Sequence, residues 1–327
     1  MGRDLLTNQT GRTKGSASRF LTMNIDSVDK QRQRPDKIHM SGNADQPLDQ
    51  SPGQWHALNK TLRLQAGSSR SQLVAKSFYL FDLLIELVSR EMKLIYKRSA
   101  LGILWSFVKP LLQLGVLYFV FHSILTFKVP HYLSFLCCGV LVWGWFQSSL
   151  TYAADTITHN QSLLKHPSFS SSILPIVVVT TWLLHFLLAL PTLGFLFFVD
   201  GLSIPGTIAL MPVIVIVQFI VTLTLAYPLA ALQVTFRDIQ HILHVILNLM
   251  FYFTPIIYAL SSVPEKYKWL FWLNPMAILI SSYRAVLIYG CQPNWTAVTA
   301  LLIVACCLLP LSQRLFKACS IRFVEEL

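Results

Sequence analysis

The chain has 327 residues, of which 54% are hydrophobic and only 13% charged, and its mean hydropathy is +0.54. Soluble domains carry about a quarter charged residues, so this balance excludes an ordinary soluble enzyme or binding module. The formal net charge of +11 does not indicate nucleic acid, because 16 of the 26 Lys and Arg residues precede Leu101 and form a membrane-proximal excess.

Residues 1–72 are polar and basic, without sustained periodicity. Such a composition cannot bury enough apolar surface to fold alone, and it lacks the apolar core of a signal peptide. It reads as a disordered basic cytoplasmic extension; a wrongly assigned start codon would explain it equally. A membrane domain is then expected over 73–327. Its first element is predicted as an interfacial helix over 76–98. At about 100° per residue, Asp82, Glu86, Arg90, Lys93 and Lys97 share one sector. Leu80, Leu84, Leu87, Val88, Met92 and Ile95 fill the opposite side, as in a helix lying on a membrane face. Glu91 interrupts the apolar side. Two explanations are open: the helix turns that side towards protein, or Glu91 has a cationic partner.

Six spans follow, at about 101–127, 132–153, 173–199, 206–235, 240–260 and 296–311. Apolar runs of roughly 20 residues suffice to cross a bilayer. With both termini inside, Lys97, Arg98, Lys165, Arg237, Arg314, Lys317 and Arg322 are cytoplasmic, and Lys128, Lys266, Lys268 and Arg284 are outside. That distribution satisfies the bias of basic residues towards the cytoplasm. Ser261 to Trp295 is half apolar and broken at Asn274-Pro275, with an amphipathic stretch around Arg284. It reads as a re-entrant hairpin on the outer side, whose backbone must then be covered by protein or water; a loop with interfacial aromatics is the alternative.

The chemistry is sparse. No GxxxxGK[ST], HExxH, CxxC or GxSxG element occurs, and the six cysteines suggest neither a disulfide framework nor a zinc site. Asp155 and Asp200 lie at span ends and no carboxylate lies inside a span, which disfavours an ion-driven flippase needing an intramembrane relay. Loops nearly bare of acids also disfavour a membrane glycosyltransferase. No catalytic, cofactor or metal residue is expected; the chain reads as a conduit. Lys109, inside the first span, is costly there unless it snorkels to headgroups or faces a water-filled substrate path. Aromatics such as Trp143 and Trp145 either line a substrate path or pack the core.

The order of motifs carries a family resemblance. Arg90-Glu91, Tyr96-Lys97-Arg98-Ser99, Leu101-Gly102, Trp105 and Pro110 resemble the N-terminal signature of polysaccharide-export permeases. These are membrane subunits of type-2 ATP-binding-cassette exporters that move capsule, O-antigen or teichoic-acid chains. Asn160 to Pro175, Phe236-Arg237-Asp238-Ile239, Leu273-Asn274-Pro275-Met276 with Tyr283-Arg284, and Phe323-Val324-Glu325 continue the similarity over about 75–327. The resemblance implies a homodimer served by separate cytoplasmic ATPase subunits, which bind the ATP and account for the missing P-loop. It also implies ATPase contacts at Glu86, Arg90, Glu91 and Lys93, and at Asn160, Lys165 and Phe169. Phe169 is followed by Ser170 where the family usually has proline. Arg237-Asp238 is expected as an ion pair holding a tight turn, or else as a gating pair. A type-2 exporter of drugs or other lipids is the rival with the same architecture.

Overall fold

The computed structural model describes residues 80–97, 102–124, 129–164, 169–236 and 238–320, and every regular element among them is helical. The extension, Arg98, Ser99, Leu101, Lys165, Arg237 and the acidic tail lie outside the described residues. In chain order the helices are α1 (80–96), α2 (Trp105–Tyr118), α3 (Tyr132–His159) and the short α4 (Gln161–Leu164). Then come α5 (Ile173–Val199), α6 (Met211–Thr235), α7 (Ile239–Phe253), α8 (Glu265–Trp272), α9 (Pro275–Leu287) and α10 (Trp295–Ser320).

Four helical segments are long and apolar enough to cross a bilayer: α3, α5, Gly206–Thr235 (α6 with the turn before it) and α10. The pair α8 and α9, bent by 98°, is a broken span or a re-entrant loop. Two shorter apolar helices, Trp105–Phe121 and Ile239–Phe253, correspond to the expected first and fifth spans. At 1.5 Å per residue a 15-residue helix such as α7 reaches only about 22 Å, short of a hydrocarbon core of about 30 Å. Proline explains where α7 stops: Pro255 has no N–H to continue the ladder, and Thr254 closes the last turn onto Met250 O. Pro110, Pro191, Pro228 and Pro310 lie within α2, α5, α6 and α10, as membrane-spanning helices tolerate.

The bundle is organised around α3. Its apolar window is 78% buried inside the protein against 22% for α10, so α3 is the central helix and α10 a peripheral one packed on α6. Side-chain pairs fix the directions. Tyr152 packs on Trp182 and Trp145 stacks on Phe186, which sets α3 antiparallel to α5. Tyr118 meets Tyr132 at 6.2 Å, which sets α2 antiparallel to α3. The two carboxylates at the ends of α3 and α5 tie helices together. Asp200 accepts from the backbone N–H (3.0 Å) and hydroxyl of Ser134, capping the first turn of α3 from outside. Asp155 accepts from Gln240 Nε2 at 2.7 Å.

Helix α1 answers the question that Glu91 raised. Leu87 and Val88 pack with Ile173 and Val177 of α5, so the apolar side of α1 faces protein. Glu91 looks into the space between α1, α3 and α5 that Asp155, His159 and Asn160 also line. Asp82, Glu86, Arg90, Lys93 and Lys97 are all exposed on the other side.

Candidate functional site

Two regions contain cationic side chains within apolar helices, one at each end of the bundle. At the end carrying the bent pair, Asn274 starts α9. Its Oδ1 accepts from Met276 N at 3.0 Å and its Nδ2 donates to Thr254 Oγ1 at 2.8 Å, while Pro275 occupies the first helical position. This ties α9 to the end of α7. Ten residues on from Asn274, Arg284 is only 4% exposed. Its guanidinium donates from Nη2 to Ile256 O (2.7 Å), from Nη1 to Pro255 O, and from Nε and Nη2 to Phe135 O (3.3 and 3.1 Å). It also sits 3.3 Å over the Phe135 ring. Arg284, counted above with the basic residues of the outer side, is a buried clamp joining α9, α3 and the chain beyond α7. The cause is the break after α7, which leaves carbonyls without helical donors, and a guanidinium fork matches several carbonyls at once. Gly139 makes room: a Cβ there would lie 2.7 Å from Arg284 Nη2.

At the opposite end, a cavity of about 240 Å³ lies between the end of α1 and helices α2, α3 and α5. Trp105, Trp145 and Trp182 wall it, and Ser106, Lys109 and Gln113 line it from one face of α2. Its α1 end holds a three-residue contact. Tyr96 Oη lies 2.6 Å from Ser106 Oγ and 2.7 Å from His185 Nδ1, and Ser106 Oγ lies 3.3 Å from the same nitrogen. This trio ties α1 to α2 and α5. The other imidazole nitrogen, His185 Nε2, is buried without a hydrogen-bond partner among the described residues. Lys109 lines this cavity and likewise has no partner among the described residues. Trp145 belongs to the wall, with Nε1 donating to Val179 O at 3.4 Å. Trp143, expected beside it in the substrate path, is 1% exposed and packs on Phe146 and Phe251, its Nε1 donating to Gln147 at 2.8 Å.

The residues expected to meet an ATPase separate in the same way. Glu86, Arg90 and Lys93 are exposed on α1. Asn160 is buried: its Nδ2 donates to Thr156 O, and its carbonyl accepts from Leu163 and Leu164, starting α4. Phe169 packs against both apolar clusters and pins the far end of that loop. Gly102 takes φ +50, which favours glycine, at the turn into α2. Asp238 is exposed at the start of α7, where its carbonyl accepts from Ile242 N.

One feature escaped the sequence reading. His241, His244, Asn248 and Tyr252 recur at three- and four-residue spacing and lie exposed on one side of α7, with Tyr252 63% exposed. Gln147 of α3 donates to Asn248 across 3.5 Å. Polar groups on an apolar helix face water or protein rather than lipid. The spacing was visible in the sequence, but which side of α7 the rest of the protomer covers was not.

Residues 82–288 match the ABC-2 type transporter family. The chain is 35% identical over 258 residues to the O-antigen export system permease protein RfbA of Myxococcus xanthus, covering 78% of this chain and 99% of that one. It is 34% identical over 251 residues to an O-antigen export system permease protein RfbA of Klebsiella pneumoniae, covering 76% and 96% respectively.

Proposed function

This chain belongs to the ABC-2 type transporter family and is a multi-pass membrane protein, and we propose that it is the membrane subunit of an ATP-driven polysaccharide exporter. The cargo is a lipid-linked glycan of the O-antigen class, carried across the bacterial inner membrane. The observation that carries this reading is likeness over almost the whole length of relatives named for O-antigen export. In this reading α2 and α7 are spans alongside the four longer helices, which makes six. The bent pair α8–α9 is a re-entrant hairpin at the outer side, α1 lies on the cytoplasmic face, and both termini are inside.

Two copies form the conduit. The exposed polar stripe of α7 supports this, because in a lone protomer His241, His244 and Asn248 would meet lipid, whereas across a dimer they meet water or a second copy. ATP is bound and hydrolysed by a separate cytoplasmic subunit. That subunit rests on the exposed charges Glu86, Arg90 and Lys93 of α1 and on the loop from Asn160 to Phe169, which includes Lys165. Glu91, turned inward beside Asp155 and His159, links this contact to α3.

The test is a deletion strain in which surface glycan and intracellular lipid-linked glycan are followed together. Surface polymer lost while polymer accumulates inside is the expected result. Both pools unchanged would overturn the cargo and favour a type-2 exporter of drugs or other lipids. Loss of both pools would overturn it in favour of a role in synthesis.

A further inference from the structure

The cavity between α1, α2, α3 and α5 has a polarity gradient along its depth. Because α3 runs antiparallel to α2 and α5, the lining residues can be ordered from the α1 end inward. Tyr96, Trp105, Ser106, Ser148, Trp182 and His185 come first, at the level where α2 begins. Lys109 follows one turn deeper along α2. Val140, Leu141 and Ala189 line the far part, towards the middle of the bundle, with Gln113 the one polar residue at that depth. Hydroxyls and an imidazole therefore line the α1 end beside Trp105 and Trp182, the Lys109 ammonium follows one turn in, and mostly apolar side chains line the rest. This is the profile of a site for an amphiphile whose head is anionic.

Size excludes the polymer itself. Ligand pockets for drug-sized molecules run from roughly 300 to 1,000 Å³, so about 240 Å³ accommodates a headgroup and the start of a tail, not a passing glycan chain. The charge decides the head. Lys109 sits on an apolar helix without a protein partner among the described residues, whereas Arg284 is engaged by three carbonyls. An ammonium left free at headgroup depth is suited to a phosphate ester.

We infer that this cavity holds the phosphate of one inner-leaflet lipid per protomer. Lys109 is its counter-ion, the Tyr96–Ser106–His185 cluster supplies hydrogen bonds, and the indoles enclose the first part of the tail. The phosphate comes either from a polyprenyl diphosphate, the carrier of a lipid-linked glycan, or from a resident phospholipid. The inference rests on the permease reading for the placement of α1 at the inner leaflet, but it does not depend on the cargo.

The test uses purified full-length protein, delipidated in detergent and analysed by native mass spectrometry. It is titrated separately with a long-chain polyprenyl diphosphate, phosphatidylglycerol and phosphate-free polyprenol. A phosphate-bearing lipid should be retained at one copy per protomer, and polyprenol at least about tenfold more weakly. Lys109→Gln should weaken retention of the phosphate-bearing lipid about tenfold, a difference of about 1.4 kcal/mol. Gly144→Leu should abolish it, because Gly144 lines the cavity and a Cβ there meets nothing within 4 Å, so a larger side chain fills the site. Gly144→Ala, with an unchanged melting temperature, checks that the helix tolerates substitution. A tenfold preference for the diphosphate assigns the site to the cargo carrier. Equal or stronger retention of phosphatidylglycerol assigns it to a resident lipid and leaves the export reading untouched. Wild-type retention by Lys109→Gln, or polyprenol bound as tightly as its diphosphate, overturns the inference. Failure of the export reading appears separately, in the glycan pools.

Discussion

Arg284 and Lys109 are both cations in apolar helices, and their surroundings are opposite. Arg284 is buried and reaches carbonyls of Phe135, Pro255 and Ile256. Lys109 opens onto a cavity and touches no partner among the described residues. The first arrangement satisfies both sides: the cation finds acceptors, and helix-end carbonyls find donors. The second leaves a charge available. A membrane protein thus uses one chemistry for two purposes, and the number of partners tells them apart. The bent-pair end is built to hold its shape, and the α1 end is built to receive something.

The hardest test of that comparison is Arg284→Leu. Removing the guanidinium leaves the Pro255 and Ile256 carbonyls buried without it, at about 1–3 kcal/mol each. A substantial loss of melting temperature in detergent is expected, together with loss of export. Arg284→Lys should fall between, because one ammonium cannot span Phe135, Pro255 and Ile256 as the fork does. Wild-type stability in Arg284→Leu would show that the clamp is incidental. Gly139→Ala reaches the same contact from α3. Its Cβ would meet Arg284 Nη2 at 2.7 Å, so the guanidinium must shift; a cost of about 1–3 kcal/mol is expected, as for overpacking. Combining Gly139→Ala with Arg284→Leu should cost less than the sum of the two, since both remove one contact.

These residues also show how far the sequence could be read. Two long apolar helices, Ile173–Val199 and Gly206–Thr235, were legible to the residue, because long apolar runs separated by a short break from Asp200 to Pro205 leave one reading. The break at Asn274-Pro275 was legible for a similar reason, since Asn caps and Pro starts a helix. Arg284 was not, because a basic residue ten positions later looks the same whether it faces water or three distant carbonyls. Its partners Phe135, Pro255 and Ile256 lie 149, 29 and 28 residues away in the chain. The cavity escaped for the same reason. Tyr96 and Lys109 were each visible, but Ser106 was not singled out, and His185 and Trp182 join them only through the antiparallel packing of α5. Periodicity reports the side of a helix; it does not report which neighbour covers that side.

A smaller effect is expected where α3 begins. Asp200 caps α3 from a different helix, through Ser134 N and Oγ. Asp200→Asn keeps an acceptor and loses the charge that favours a helix N-terminus, so a loss of about 0.3–1 kcal/mol is expected. Asp200→Ala removes the cap and should cost about 0.5–2 kcal/mol. Thermal unfolding in detergent would measure both. An alanine variant as stable as wild type would mean that water replaces the carboxylate at this position, and the bent-pair end would be less rigidly tied than its contacts imply.

The smallest expected change in stability belongs to Lys109→Gln, and that is its value. A side chain with no hydrogen-bond or ion-pair partner among the described residues contributes little to the fold, so the melting temperature in lipid-free detergent should match wild type. A difference should emerge only when a phosphate-bearing lipid is added. Binding to the folded state raises the transition in proportion to the logarithm of ligand concentration, and the wild-type protein should gain from it while Lys109→Gln gains less. If the variant loses stability without lipid, Lys109 has a protein partner and the contrast with Arg284 collapses. If both proteins gain equally, the cavity does not read the phosphate through its lysine. Only a gain confined to the wild-type protein fits a charge held in reserve for a ligand.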